Sequence, residues 1–250
     1  AAVLVAEREL EGIPEKVTVL VVKDSREALA QLSCAWEDDP AQHLVTIGVT
    51  GTKGKTTTTY MIKAILEAAG QKTGLIGTNG AVIGENHYPT KNTTPESYIL
   101  QEYFARMVEE GCRYVVMEVS SQSYLMHRVD GLFFDYGIFL NISNDHIGPN
   151  EHASFEEYLY HKKQLLKNCR TALVNRDDPH FDAIVEGATA KILTFSLEQA
   201  ADFTADDFRF LDGAVADDVV DHVVAGRVRR AEDELVELLL RLNVRDRATL

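Results

Sequence analysis

Positive charge is what this sequence has least of relative to its opposite. Lys and Arg number 25 against 39 Asp and Glu, a formal net charge of −14 over 250 residues. Such a chain lacks the cationic footprint of non-specific nucleic-acid binding. Long apolar runs are also missing. No uninterrupted stretch approaches the ~20 residues that cross a bilayer, so membrane insertion is not expected, and the opening residues carry no signal-peptide pattern. Cysteine is scarce: Cys34, Cys112 and Cys169 are far apart and form no CxxC pair. That argues against a disulfide scaffold or a cysteine zinc site and fits a reducing, cytoplasmic setting. Internal repeats and low-complexity tracts are absent. What remains is ordinary globular composition, 45% apolar and 26% charged, enough for one large domain or two small ones.

Strand-like and helix-like segments alternate along most of the chain. VTVLVV (Val17 to Val22) reads as a buried strand. A helix follows over Ser25 to Trp36, after a start signal at Asp24 and Ser25. Asp38, Asp39 and Pro40 mark a turn-like junction. LVTIGV (Leu44 to Val49) is then a continuous apolar run, as expected of a strand covered on both faces. A helix is expected from Lys55, with Met61, Ile62, Ile65, Leu66 and Ala69 on one side and Gly70 as its stop. Further strands are predicted at Thr73 to Gly77, Tyr114 to Val119, Tyr136 to Ile142, Thr171 to Asn175 and Ala190 to Phe195. Further helices are predicted at Pro95 to Glu110 and Ser154 to Lys167. The alternation predicts an α/β fold, a mostly parallel sheet with helices on both faces, preceded by the end of a small α/β domain. From about Gly213 to Leu250 the alternation stops, and Arg230 to Leu242 reads as an amphipathic helix.

GVTGTKGKTTTT (Gly48 to Thr59) lies between a predicted strand and a predicted helix, the setting a phosphate-binding loop requires. Glycines let the backbone approach phosphates, and the helix N-terminus adds a favourable dipole. In this reading Gly51, Thr52, Lys53, Gly54, Lys55, Thr56 and Thr57 cradle the phosphates of a nucleotide, which the resemblance given below implies is ATP. Lys55 reaches the β- and γ-phosphates, and the Thr56 hydroxyl ligates Mg²⁺. One departure stands out: the strict motif has glycine where this chain has Val49. The bland alternative is a Gly/Thr-rich turn that only caps a helix. Glu118 ends a predicted strand and offers a hard oxygen ligand for Mg²⁺ beside Thr56; the alternative is a solvated strand-end acid.

The loop variant TGTKGKT resembles that of the ATP-dependent Mur ligase family. NTTPE (Asn92 to Glu96), MEVSS (Met117 to Ser121), HRVDG (His127 to Gly131), NISNDH (Asn141 to His146) and FEEYLYHKKQLL (Phe155 to Leu166) follow in the order of its MurE-type, tripeptide-forming branch. The resemblance implies three domains, and this chain is expected to supply parts of two: residues 1–44 as the end of a UDP-substrate-binding domain and 45–212 as most of the central ATP-binding domain. Residues 213–250 stay unassigned, and the third, amino-acid-binding domain is expected to be absent, as in a fragment or a truncated or frameshifted product. The implied activity is an ATP-dependent amide-bond ligase of peptidoglycan precursor synthesis, adding L-lysine or meso-diaminopimelate to UDP-MurNAc-L-Ala-D-Glu through an acyl phosphate.

By the same resemblance Glu118 and His146 hold Mg²⁺, and Lys162 carries a CO₂-derived carbamate that also serves the metal. Lys55, Lys162 and His146 form the implied catalytic set. Asn92, Thr93, Thr94, Ser120 and Arg128 are the implied substrate contacts. Without the resemblance, Lys162 and Lys163 read as two solvated lysines on a helix, Arg128 as a surface ion pair, and the residues before Pro95 as simple caps, with Pro95 at the first helical position. Met126 and Gln122 depart from the branch's common residues, Gln and His, at their positions. DHIGPNEH (Asp145 to His152) is similar to the same run in lysine-adding members of streptococcal type, which tilts the expectation toward L-lysine. A monomer is implied. Competing readings are a folylpolyglutamate-type ligase, a non-catalytic nucleotide-binding remnant and a simple P-loop NTPase or kinase.

Overall fold

The computed structural model describes residues 3–145, 147–149, 151–206 and 227–228. The first strands, β1 (Val3–Ala6) and β2 (Thr18–Val21), pair in parallel as a two-stranded sheet. The expected strand is therefore present, but its expected burial is not: Leu20 is 48% and Val21 54% exposed. The reason is that each strand has one neighbour in a two-stranded sheet. Helix α1 (Ser25–Trp36) follows, and Asp24 caps it by accepting from the backbone N–H groups of Arg26 and Glu27. Its inner side buries Ala30, Ser33 and Cys34, whereas Leu29, Leu32 and Trp36 stay exposed. Asp38 and Asp39 both take positive φ before a 3₁₀ turn at Pro40–His43, which leads into the main sheet.

The main sheet holds β3 (Val45–Thr50), β4 (Thr73–Gly77), β5 (Gly80–Ile83), β6 (Asn86–Tyr88), β7 (Tyr114–Glu118), β8 (Phe134–Phe139), β9 (Cys169–Asn175), β10 (Lys191–Ser196), β11 (Phe203–Asp206) and β12 (Arg227–Val228). Its order is β12-β11-β10-β9-β8-β3-β7-β4-β5-β6. All pairs from β11 to β4 are parallel; the pairs β4–β5, β5–β6 and β11–β12 at the two edges are antiparallel. The α/β, mostly parallel expectation holds.

Alternate side chains of the central strands face opposite layers. Ile47, Val49, Tyr114, Val116 and Ile138 pack with Ile62 and Leu66 of α2 (Lys55–Ala68). On the other face, Val115, Met117, Phe134 and Phe139 join a larger core with Leu100, Phe104 and Met107 of α3 (Ser97–Glu109) and Tyr158 of α5 (Phe155–Lys163). The short helices α4 (Ser121–Leu125) and α6 (Phe181–Val185) complete the described elements.

Several predicted boundaries shift. β8 spans Phe134–Phe139, two residues earlier at its start than the apolar run suggests, because Asp135 is accommodated inside it: its carboxylate accepts from the Thr46 N–H of β3 at 3.0 Å. α3 starts at Ser97, not Pro95. The buried Thr94 hydroxyl donates to the Glu118 carbonyl at 2.9 Å, which ties the segment before Pro95 to the end of β7. α5 ends at Lys163, and Gln164–Lys167 continues as a 3₁₀ turn. The amphipathic helix expected at Arg230 to Leu242 lies outside the described residues.

Candidate phosphate-binding and catalytic site

β3 lies between β7 and β8; the chain crosses from β3 through α2 to β4 on one side and from β7 to β8 on the other, and the loop after β3 opens at the C-terminal end of the sheet. That is where ligands of open parallel sheets bind. Val49, the departure from the strict loop motif, is the penultimate residue of β3 and has no exposed surface. A β-branched side chain suits that position, and the turn itself begins beyond it. Gly54 precedes α2 with φ +84°, a conformation that favours glycine.

The loop is held from two sides. The Thr52 N–H donates to the Asn141 carbonyl at 3.0 Å, and the Lys53 N–H to the Asn141 side chain at 3.0 Å. The Asn141 amide donates back to the Lys53 carbonyl at 3.1 Å. The Thr52 hydroxyl accepts from the Ser143 N–H at 3.0 Å and meets the Tyr158 hydroxyl at 3.1 Å. Tyr158, Thr52 and Asn141 thus fix the loop's shape from the protein side. Asn141 belongs to the NISNDH run, and Tyr158 lies one helical turn before Lys162. These spacings carry their signal in the sequence, although neither residue stood among the expected site residues.

Two lysines converge on one acceptor. Lys55 Nζ donates to the Gly51 carbonyl at 2.9 Å and to that of Thr52 at 3.1 Å; Lys162 Nζ donates to the same Gly51 carbonyl at 2.8 Å. Lys162 is 2% exposed, which overturns the reading of a solvated lysine. Its Nζ also lies 4.7 Å from the centre of the Tyr158 ring. Burial, with the Lys55 cation adding to it, pushes the Lys162 ammonium well below its ordinary range against the opposing pull of Asp145. Burial likewise lowers Lys55, opposed by Glu118 and Asp145. Both shifts favour the neutral amine, and a neutral amine is the form that adds CO₂.

Glu118, at the end of β7, is 1% exposed, so the reading of a solvated strand-end acid is also overturned. Its carboxylate accepts from the Thr56 hydroxyl and the Thr78 N–H, each at 2.9 Å, and from the Thr78 hydroxyl at 3.3 Å. A Cβ at Gly77 would stand 2.3 Å from its Oε1, so only glycine there leaves the carboxylate its place. A buried carboxylate beside a hydroxyl, at the start of the loop helix, is an oxygen donor set of the kind Mg²⁺ takes. These residues fit that ion. His146 lies outside the described residues.

A cleft of about 290 Å³ opens at the two lysines and is lined by Lys55, Lys162, Asn92, Thr93, Ser120 and Arg128, together with Ser121, Gln122, Glu151 and His152. Four of the five expected substrate contacts therefore share a cavity with both lysines. Thr94 does not line it; its hydroxyl is spent on the Glu118 carbonyl and the Ser120 N–H. Ser120 caps α4 by accepting from the Ser123 N–H. Arg128 pairs with Glu96 at 2.7 Å, with its side chain 12% exposed. Of the two departures from the branch pattern, Gln122 faces the cleft, whereas the Met126 sulfur lies 3.5 Å from the Arg26 guanidinium at the start of α1. The cleft keeps a polar side chain at the first position, and the second does not face it.

The profile of the Mur ligase middle domain matches residues 49–223. The chain belongs to the Mur ligase family. Among curated relatives, it is 44% identical over 202 residues to the UDP-N-acetylmuramoyl-L-alanyl-D-glutamate--2,6-diaminopimelate ligase of Caldanaerobacter subterraneus subsp. tengcongensis, a match covering 80% of this chain and 41% of the relative. It is 47% identical over 169 residues to the UDP-N-acetylmuramyl-tripeptide synthetase of Lactococcus lactis subsp. cremoris, covering 67% of this chain and 35% of that protein. A solved structure of a UDP-N-acetylmuramoyl-L-alanyl-D-glutamate--2,6-diaminopimelate ligase superposes with a TM-score of 0.71 at 28% identity, over 82% of this chain and 42% of that one. The chain spans about two fifths of the length of these Mur ligases.

Proposed function

We propose that this chain carries the ATP-binding core of a MurE-type ligase. The enzyme transfers the γ-phosphoryl group of ATP to the D-Glu γ-carboxylate of UDP-MurNAc-L-Ala-D-Glu. The amine of an added amino acid then attacks the acyl carbon, a proton leaves that amine, and phosphate departs. One observation carries the reading: a single cleft brings Lys55 and Lys162 together with Asn92, Thr93, Ser120 and Arg128. A simple P-loop NTPase or kinase has no need of that second set beside its phosphate loop.

Each residue's part follows from its chemistry. Lys55 turns from the Gly51 and Thr52 carbonyls to the β- and γ-phosphates, and the loop N–H groups and the α2 dipole add to its charge. Thr56 and Glu118, with His146, hold Mg²⁺. When bound, the ion offsets the repulsion between the triphosphate and the substrate carboxylate. Lys162, as a carbamate, would turn a buried amine into an anion able to serve the Mg²⁺ that Thr56 and Glu118 would hold, and Tyr158, bonded to Thr52, keeps its helix in register with the loop. Arg128 positions the muramoyl peptide, with Glu96 holding its guanidinium. Residues 1–44 are the end of the UDP-substrate-binding domain, and 45–212 form the central domain. The added amino acid is L-lysine or meso-diaminopimelate: the local run DHIGPNEH favours the first, and the name of the Caldanaerobacter relative the second.

The test is ADP release by the enzyme that carries this sequence, with UDP-MurNAc-L-Ala-D-Glu and either amino acid, compared with a folate and glutamate. Release that depends on the muramoyl dipeptide is expected. Release that depends on the folate would assign the core to a folylpolyglutamate-type ligase instead.

A further inference from the structure

Beside the cleft, α5 and the segment before it gather three side chains that the phosphate chemistry does not use. His152, Glu157 and His161 each present a ligand-type atom, and these atoms all lie within 4.8 Å of one another. Glu157 and His161 are one helical turn apart, on the same side of α5. The His152 and His161 rings stack with centroids 5.5 Å apart and planes 30° from parallel. Two of the three are already anchored by neighbours. His152, with no exposed surface, meets Ser121 Oγ through Nε2 at 2.8 Å, and Glu157 Oε2 accepts from the Ala153 N–H at 2.6 Å. Metal-binding imidazoles and carboxylates are held in this way, with one atom on a hydrogen-bonding partner and another on the ion.

We propose that His152, Glu157 and His161 form a binding site for one borderline divalent cation, of which zinc is the type, separate from the Mg²⁺ position at Thr56 and Glu118. Two imidazoles and one carboxylate suit zinc and are a poor set for Mg²⁺, which prefers oxygen donors in an octahedron. A tetrahedral zinc with bonds of about 2.0–2.2 Å sets its ligand atoms about 3.4 Å apart. The three side chains reach that spacing by closing at most about 1.4 Å from separations of up to 4.8 Å, within rotamer adjustment. Water fills the fourth position. The ion would pin the segment holding Glu151 and His152, both cleft-lining, to the helix that carries Lys162. Occupancy is therefore read at the wall of the cleft.

The experiment is calorimetric titration of zinc into this chain in excess Mg²⁺, with Co²⁺ as a visible-absorption probe of coordination. We expect one zinc per chain, an intense visible band with Co²⁺, and a higher Tm with zinc. His161→Ala and Glu157→Gln should each weaken binding at least about tenfold, and Lys55→Ala should leave it intact. Glu157→Gln keeps the helix geometry, so it decides the matter if His161→Ala does not fold. Absence of binding, or binding by both variants as tight as by the parent chain, would overturn the site. Loss of zinc in Lys55→Ala would instead place the ion in the phosphate pocket.

Discussion

Two apolar runs of similar composition, VTVLVV at residues 17–22 and LVTIGV at residues 44–49, end in different surroundings. The second forms most of β3, between β7 and β8, where Ile47 is 1% and Val49 0% exposed. The first forms β2, with one neighbour and with Leu20 and Val21 about half exposed. The contrast teaches that an apolar run specifies a strand but leaves its burial to the neighbours it finds. It also separates the molecule into a region that is over-determined and one that is lightly held. At the end of β3, loop, helix and sheet fix one another through Asn141, Tyr158 and Lys162. At β2, few interactions do.

The contrast can be broken most severely at its tightest point. On the proposed function, Lys162→Ala should reduce ligase activity of the intact enzyme by orders of magnitude, and short-chain carboxylates should restore part of it by standing in for the proposed carbamate. An unchanged rate would mean that the buried lysine serves packing alone. Next in size is the core of the same region. Ile47→Ala removes a fully buried side chain from between β7, β8 and α2, and denaturant unfolding should show a loss of about 2–5 kcal/mol. A loss no larger than that of a surface change would contradict the burial argument.

A smaller effect marks the link between the two regions. His127 bonds Asp130 through Nδ1 at 2.6 Å, and its Nε2 lies 3.7 Å from Asp24, the cap of α1. The Asp130 hydrogen bond raises the His127 pKa; partial burial opposes this, and the charge of Asp24 is a lesser contribution. A raised histidine stabilises the fold fully below the unfolded pKa, about 6.5, and that contribution is lost as pH rises through the folded value. His127→Asn keeps a residue that tolerates the local φ of +56°. Its stability deficit should therefore be larger in acid than above neutrality, and a pH-independent deficit would contradict the pairing. Smallest of all, Leu20→Ala in β2 should change stability by no more than about 0.5 kcal/mol. A cost like that of Ile47→Ala would erase the distinction between the two strands.

How much of this was legible depended on whether a residue's partners were near in sequence. The loop helix starting at Lys55, the Asp24 cap and the parallel sheet are periodic or local features, and they read directly. β5 and β6 did not, although Asn79–Gly80 is a turn signal, because three- and four-residue strands carry too little alternation to stand out. The start of β8 was hidden by Asp135, a charged residue that a distant Thr46 N–H makes acceptable within a strand. In the site, spacing alone located Lys55 and Thr56. Lys162 read as a surface lysine until the resemblance singled it out, and its burial arises from contacts with Gly51, more than a hundred residues away. Thr94, a motif residue expected at the substrate, uses its hydroxyl on the Glu118 carbonyl and the Ser120 N–H, contacts more than twenty residues away that the motif alone does not reveal.

The central claim is that the phosphate loop is built by its own surroundings, ready for the triphosphate. Calorimetric titration of Mg·ATP into this chain, with Lys55→Ala as control, tests it most directly. Saturable binding that the variant loses is the predicted result. A folded chain that binds no nucleotide, or a Lys55→Ala variant that binds as well as the parent, would contradict it.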